Sequence, residues 1–267
     1  MADVRVLASS GDPLIQPKLR RIGSADLRAA LAQGVDDFRA MPSHLVFVGL
    51  LYPIVGILLA ALTFGYDLLP LLFPLVSGFA LVGPLAAIGL YELSRRRESG
   101  EDTSWRHAFE VLRSPAIGSI AAVGVLLLVI FVAWLMTAQA LYQGLFGAQM
   151  PSSVSGFLGD VFGTSRGWTL IIAGHALGFL FAAAAFTVGV MAFPLLVDRD
   201  VGPVAAVTTS VRAVLANPGT MAIWGVIVAV ALMIGSAPLF IGLAVIVPVL
   251  GHASWHLYRR VVEQDRS

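Results

Sequence analysis

The sequence contains no cysteine. That excludes disulfides, iron–sulfur clusters and thiolate chemistry, and leaves the redox compartment open. Charge is also scarce: Asp, Glu, Lys and Arg make up 12% of the residues, against roughly 25% in an average soluble protein. The net charge is only +1, so no bulk attraction draws the chain to nucleic acid and no such partner is expected. Walker A, HExxH, GxSxG and GxGxxG patterns are missing, so a non-enzymatic protein without a cofactor is expected. Residues 1–43 are polar and mixed in charge. They lack the apolar core of a secretory signal, and residues 1–25 read as a mobile cytoplasmic tail.

What the chain has is apolar sequence in long runs. Hydrophobic residues make up 58% of the 267 and the mean hydropathy is +0.86. A water-soluble core of this size cannot bury that much apolar surface, so a bilayer must be the solvent. Six runs are long enough to cross it: Leu45–Phe64, Leu68–Ser94, Gly118–Leu141, Leu170–Val197, Gly219–Gly235 and Ala237–Tyr258. Strands are not expected, because apolar and polar residues do not alternate and an open sheet edge cannot sit in lipid. The fifth and sixth runs are separated only by Gly235-Ser236-Ala237-Pro238, which reads as a tight hairpin; one longer broken helix is the competing reading. Residues 26–263 then form a single membrane domain, with 264–267 as a short tail.

The basic residues orient the spans. Of the 17, only Arg166 falls on the side opposite the rest. Arg5 to Arg39 precede the first span, Arg95, Arg96, Arg97, Arg106 and Arg113 follow the second, Arg199 and Arg212 the fourth, and Arg259, Arg260 and Arg266 the sixth. The positive-inside rule puts both termini in the cytoplasm, with Arg95, Arg96, Arg97, Arg259 and Arg260 as anchors at the inner leaflet.

A repeat runs through the chain. Pro84-LAAIGLYELSRRR aligns with Pro248-VLGHASWHLYRRV, so that Tyr91 meets Trp255, Glu92 meets His256, and Arg95-Arg96 meet Arg259-Arg260. Met191-AFPLLVDRD is a weaker copy with Phe193 at the aromatic position. Three short amphipathic stretches, each ending in proline, repeat as well: Gly34–Pro42, His107–Pro115 and Ser210–Pro218. In the second, Trp105, Ala108, Phe109 and Leu112 share a helix face; in the third, Val204, Val207, Val211, Val214 and Leu215 do; Leu27, Leu31, Val35 and Phe38 make a poorer face in the first. The fold expected is all-α: a polytopic bundle of six transmembrane helices in three pseudo-repeats, each an interfacial helix followed by a helical hairpin. The amphipathic stretches either lie flat in the headgroup region or pack on the bundle as ordinary loop helices. Between spans three and four, Gly144–Trp168 reads either as a short surface helix, with Val154, Phe157, Leu158, Val161 and Phe162 on one face and Tyr142 and Trp168 as interface residues, or as a glycine-rich loop.

Ionisable residues within spans are the functional candidates. His175 lies in GHALG, where Gly174, Gly178 and Ala182 form a small-residue stripe that lets helices approach closely. It serves either a hydrogen bond across that contact or a proton or ligand. Glu92 and His256 hold equivalent repeat positions and either pair near the inner surface or cap solvated helix ends, Glu92 being balanced by Arg95 and Arg96. His252 and His256, four apart, have a spacing able to hold a metal or haem iron, but no third ligand stands near them in sequence.

Phe73–Glu98, Phe193–Val201, Ser210–Gly219 and Pro248–Glu263 carry the phrases FPLVSGFALVGPLAAIGLYELSRRRE, FPLLVDRDV, SVRAVLANPG and PVLGHASWHLYRRVVE. By these the chain resembles an uncharacterised bacterial integral membrane family, the domain of unknown function 2189, from about Asp26 to Glu263. The resemblance implies the bacterial inner membrane. Members are sometimes labelled cytochrome c oxidase subunit one, but that protein binds its haems and copper with more histidines than the five present here. The function expected is a scaffold or accessory subunit of a membrane complex, whose partners are the bilayer and other membrane proteins or further copies of the chain. A small permease or channel for a solute or lipid-like substrate is the alternative, and an oxidase-like haem subunit the remote one.

Overall fold

The computed structural model describes residues 17–41, 70–71, 73–75, 87–148, 151, 153–238 and 240–263. The first expected span and most of the second lie outside the described residues. Where the chain is described it is helical: α1 (Ser24–Ala40), α2 (Ile88–Glu98), a 3₁₀ helix (Trp105–Arg113), α3 (Ile117–Phe146), α4 (Val154–Gly163), α5 (Ser165–Gly189), α6 (Ala192–Asp198), α7 (Pro203–Ala216), α8 (Pro218–Ser236) and α9 (Leu243–Val261).

Among the described residues, three stretches are long and apolar enough to cross a membrane: α3 with 30 residues, α5 together with α6 with 34, and α8 with 19. At about 1.5 Å per residue even α8 comes within a few ångströms of the ~30 Å hydrocarbon thickness. They coincide with the third, fourth and fifth expected spans. Their outward faces are apolar. Val129 and Met136 on α3, Ile172 and Phe179 on α5, and Val226 and Met233 on α8 are all exposed. Such continuous apolar surface belongs in lipid, and the protein is an integral membrane protein.

The remaining described stretch of this type behaves differently. α8 ends at Ser236 and α9 begins at Leu243, with Phe240 at φ 65° in the turn between them. The two helices pack on each other, a hairpin as expected, but with its turn at 237–242. The second half of α9 is buried in protein: Gly251, His252, Ala253, Trp255, Leu257 and Tyr258 are all inside.

The core forms where α2, α6 and α9 end. Tyr91, Phe193 and Trp255, the aromatic residues matched by the repeat, are 3%, 0% and 0% exposed and lie in one apolar cluster. Each of the three helix ends receives a different amphipathic stretch. The 3₁₀ helix packs on α2, α7 packs on α6, and α1 packs on α9.

α7 presents its small and polar side inward: Ala205, Ala206, Thr209, Ser210 and Ala213 are buried, while Val204 and Leu215 are exposed. The 3₁₀ helix likewise buries Val111 and exposes Trp105, Phe109 and Leu112. Residues three apart stack in a 3₁₀ helix, which puts Val111 under Ala108 and Trp105 and narrows the face expected from α-helical spacing. α1 also turns a mostly small face inward. Its buried face is Leu27, Ala30, Gly34 and Asp37, packed on α9, so α1 follows the packed alternative and not the flat one. Gly34 is the reason: a Cβ there would sit 2.6 Å from Ala253 Cβ and 2.7 Å from its backbone nitrogen.

The α5–α6 junction shows how one buried hydroxyl shapes a span. Pro194 cannot donate to the helical ladder and its ring disfavours a regular turn before it. The i→i−4 bond from Met191 to Thr187 is opened and Ser210 is inserted. The Met191 N–H donates to Ser210 Oγ (3.1 Å) and the Ser210 hydroxyl donates to the Thr187 carbonyl (2.7 Å). Ser210→Ala leaves both groups without a partner in a dry site, and is expected to cost about 1–3 kcal/mol. Thermal unfolding in detergent measures this; an unchanged melting temperature contradicts the bridge.

Residues 17–23, placed in the tail by sequence, are tied down. Leu19 pairs with Val262 in an antiparallel bridge, flanked by Arg20 N–H to Val261 O (2.8 Å) and Glu263 N–H to Lys18 O (2.9 Å). Asn217 completes the attachment, accepting from Ile22 N–H at 2.9 Å and donating to Arg20 O at 3.2 Å. The described chain ends thus lie side by side. The connection between α3 and α5 is helical at α4. Ser153 caps it, Val161 is buried, Tyr142 is buried near Phe146 and Phe157, and Trp168 faces out.

Candidate functional site

Where α1 presses against α9, a carboxylate is carried inside. Gly34 brings the backbones together, so Asp37, about one turn on, enters the groove between α9 and α2 and is 3% exposed. α2 presents Ser94 and Arg97, three apart on one face; α9 presents His252 and His256, four apart. All four reach the same acid. Asp37 Oδ2 accepts from Ser94 Oγ (2.5 Å) and from His256 Nε2 (2.8 Å), and Oδ1 accepts from Arg97. His252 Nδ1 lies 2.8 Å from the same Ser94 Oγ. Burial pushes the Asp37 carboxyl up, but hydrogen bonds from His256 and Ser94 and the charge of the two histidines outweigh it and hold it below its usual 3.8. A cavity of about 320 Å3 opens beside the cluster, where Gln33, Glu98, Arg259 and Arg260 join Asp37, Ser94, Arg97 and His256.

Two further ionic groups surround α2. Arg95 holds Glu92 in a two-pronged pair at 2.7 and 2.8 Å, and Arg96 lies 3.7 Å from the same carboxylate. Arg96 also reaches Glu110 at 2.8 Å. On the other side, Glu98 accepts from Arg259 (2.9 Å) and from the Trp255 indole (3.1 Å), and Asp198 accepts from the Tyr258 hydroxyl (2.6 Å). Arg260 bonds Gln33 at 3.0 Å and lies 3.5 Å from Asp26. The arginines read as membrane anchors therefore all engage acids or amides: Arg95 on its own helix, and Arg96, Arg97, Arg259 and Arg260 on neighbouring elements.

His107 forms a clasp with two carboxylates, Glu110 at 2.6 Å and Asp102 at 2.9 Å. Hydrogen bonds to Glu110 and then Asp102 raise its pKa above the usual 6.5; its own bond lowers those of both acids. Arg96 opposes the imidazolium charge, and Arg96 and Arg113 help to hold Glu110 ionised. The histidine's contribution is complete below pH 6.5 and fades as pH rises through its raised value. The acids' contribution is present above their usual 3.8 and 4.5 and fades as pH falls through their lowered values. The clasp is therefore tightest between those limits. Amide exchange of residues 102–113, corrected for intrinsic rates, should be more protected at pH 5.5 than at pH 9; equal protection would remove the clasp as a hold on this segment.

Glu92 and His256 do not meet: Glu92 stays with Arg95 and Arg96 on its own helix, and His256 pairs with Asp37. The two histidines of α9 do gain a carboxylate, but among the described residues no group of three His, Asp or Glu is arranged to hold a metal ion. His175 is exposed on α5. Its Nδ1–H donates to the Ile171 carbonyl one turn back (2.7 Å) and its ring lies 4.9 Å from Phe73. In the small-residue stripe, a Cβ on Gly174 would lie 3.9 Å from Leu141 and one on Gly178 3.2 Å from the Trp134 ring, so these two face α3; Ala182 is exposed.

Asp37 and Ser94 escaped sequence reasoning. The signal was present: an acid one turn beyond Leu27, Ala30 and Gly34, on a face otherwise small and apolar, which in the aligned segments is occupied by Glu110 and Ala213.

Residues 72–198 match a family described as "Predicted integral membrane protein (DUF2189)", the family that the sequence resembles. The match runs from the expected second span to the end of α6. No curated protein and no solved structure matches the chain.

Proposed function

We propose that this integral membrane protein is a non-enzymatic scaffold or accessory subunit of a bacterial inner-membrane complex, built from six spans in three repeated units with both termini in the cytoplasm. One observation carries the reading. Five polar side chains that could line a solute path are turned back onto their own helices, Gln139 on α3 being the exception with its Oε1 buried and unpaired. Thr137, His175, Thr187, Ser236 and Ser254 each donate to the carbonyl four residues earlier, at 2.7–2.8 Å. Such side chains have given their donor to backbone and offer a hydrated solute no hydrogen of their own.

The three-unit reading is supported by a cyclic pattern. The amphipathic stretch of each unit packs on the return end of the unit before it, and α1 packing on α9 closes the ring. The exposed apolar faces of the 3₁₀ helix and α7 suit the headgroup boundary. The pairing of residues 18–20 with 261–263 supports termini on one side, and the arginines favour the cytoplasm for it. The partners of such a protein are other membrane proteins or further copies of this chain.

Reconstitution tests this. Proteoliposomes should retain ions and small solutes as well as empty vesicles do, and mild-detergent purification should return the chain with a stoichiometric membrane companion or as a defined oligomer. Solute flux above the empty-vesicle rate, or a solitary monomer, overturns the reading.

A further inference from the structure

We propose that the cavity between α1, α2 and α9 binds a phosphate group, carried by a soluble phosphate ester or by the headgroup of an anionic phospholipid. Its hydrogen-bonding capacity is one-sided. The acceptors are already occupied: Asp37 by Ser94, His256 and Arg97, and Glu98 by Arg259 and Trp255. Donors are left over. A guanidinium carries five N–H groups, and Arg97 gives a single hydrogen bond, to Asp37, while its side chain is 39% exposed. Arg260 bonds Gln33 through one terminal nitrogen, and its Nε is buried without an acceptor.

The charge points the same way. Three arginines and two carboxylates line this cavity, a net of 3 − 2 = +1 before His256 is counted, with Asp26 and Asp198 outside the lining at 3.5 Å from Arg260 and 3.7 Å from Arg259. The smaller cleft on the other side of α2, about 230 Å3, sets Arg95 and Arg113 against Glu92 and Glu110, a net of 2 − 2 = 0. An oxyanion with several acceptor oxygens is the ligand that surplus guanidinium N–H groups select. This site is independent of the scaffold reading, since a transporter could hold it equally well.

The experiment uses delipidated full-length protein in uncharged detergent, with inorganic phosphate titrated in and followed by calorimetry. Saturable binding at one site is expected. Arg97→Gln should weaken it at least tenfold, and Arg113→Gln, in the neutral cleft, should leave it unchanged. Because Arg97→Gln also strips a partner from Asp37, the second variant is Gln33→Glu. It breaks no ion pair and sets a carboxylate beside Arg260, so lost binding with an unchanged melting temperature is expected. Repeating the titration in phosphatidylcholine and phosphatidylglycerol nanodiscs identifies the source. Phosphate binding abolished only by phosphatidylglycerol assigns a lipid headgroup; binding kept in both assigns a soluble ester. No saturable binding by the delipidated protein, full affinity in Gln33→Glu, or equal weakening by Arg113→Gln overturns the proposal.

Discussion

Asp37→Ala should destabilise the protein by about 3–5 kcal/mol, because removing one member of a buried ionic cluster strands the others. Arg97, His256 and Ser94 all donate to this carboxylate, and the other acid lining the cavity, Glu98, is already held by Arg259 and Trp255. Asp37→Asn preserves the shape and one acceptor oxygen, so it should fall between wild type and alanine. The defect should be local before it is global. α1 is held by the Gly34–Ala253 contact and this cluster, so exchange protection of residues 24–40 should collapse at denaturant concentrations where α3 and α5 remain protected. A double-mutant cycle with His256→Ala adds a second check, since partners in one network must show coupling. Additive losses would mean that Asp37 and His256 do not act through each other. Acid should mimic the substitution, because a carboxyl held below its usual value contributes stability that disappears as pH falls through that lowered value.

Trp255→Ala should cost a similar amount, about 3–5 kcal/mol, through loss of a large buried side chain and the cavity it leaves. Trp255 is 0% exposed and stands where the ends of α2, α6 and α9 converge. Its ring lies 5.5 Å from Tyr258, the Arg259 guanidinium sits 5.9 Å above it, and its indole N–H reaches Glu98. Trp168→Ala is the control: that ring is 54% exposed at the start of α5, and its loss should be close to neutral in detergent. Denaturation of the two variants side by side decides the matter. Equal stability would mean that the helix ends do not share one core. Trp255→Phe should recover most of the packing and isolate the share due to the bond to Glu98.

Much of this could be read along the chain. Runs of apolar residues, their lengths and the bias of arginine to one side are properties of contiguous sequence, and the described spans α3, α5–α6 and α8 follow them. The aromatic positions of the repeat were also legible, because Tyr91, Phe193 and Trp255 sit at matched distances from charged ends. The orientation of α1 was not. Apolar periodicity selects Leu27, Leu31, Val35 and Phe38, whereas the buried face is Leu27, Ala30, Gly34 and Asp37. Hydrophobicity ranks side chains by size, but the contact with Ala253 selects the side that is small enough to let two backbones touch. The alternative in which Glu92 pairs with His256 rests on matched repeat positions. Such positions lie at different helix ends of the ring, and each takes the charge nearest to it.

The sequence by itself determined the solvent, the helical class and the side on which charge gathers, because these depend on how much apolar surface lies in each run and on where arginines interrupt it. Only the tertiary structure decided which acid meets which base. Asp37 is separated by 57 residues from Ser94 and by 219 from His256, and no local rule joins groups so distant. The close approach at Gly34, which admits α1 to the groove between α2 and α9, is what brings them within hydrogen-bonding range.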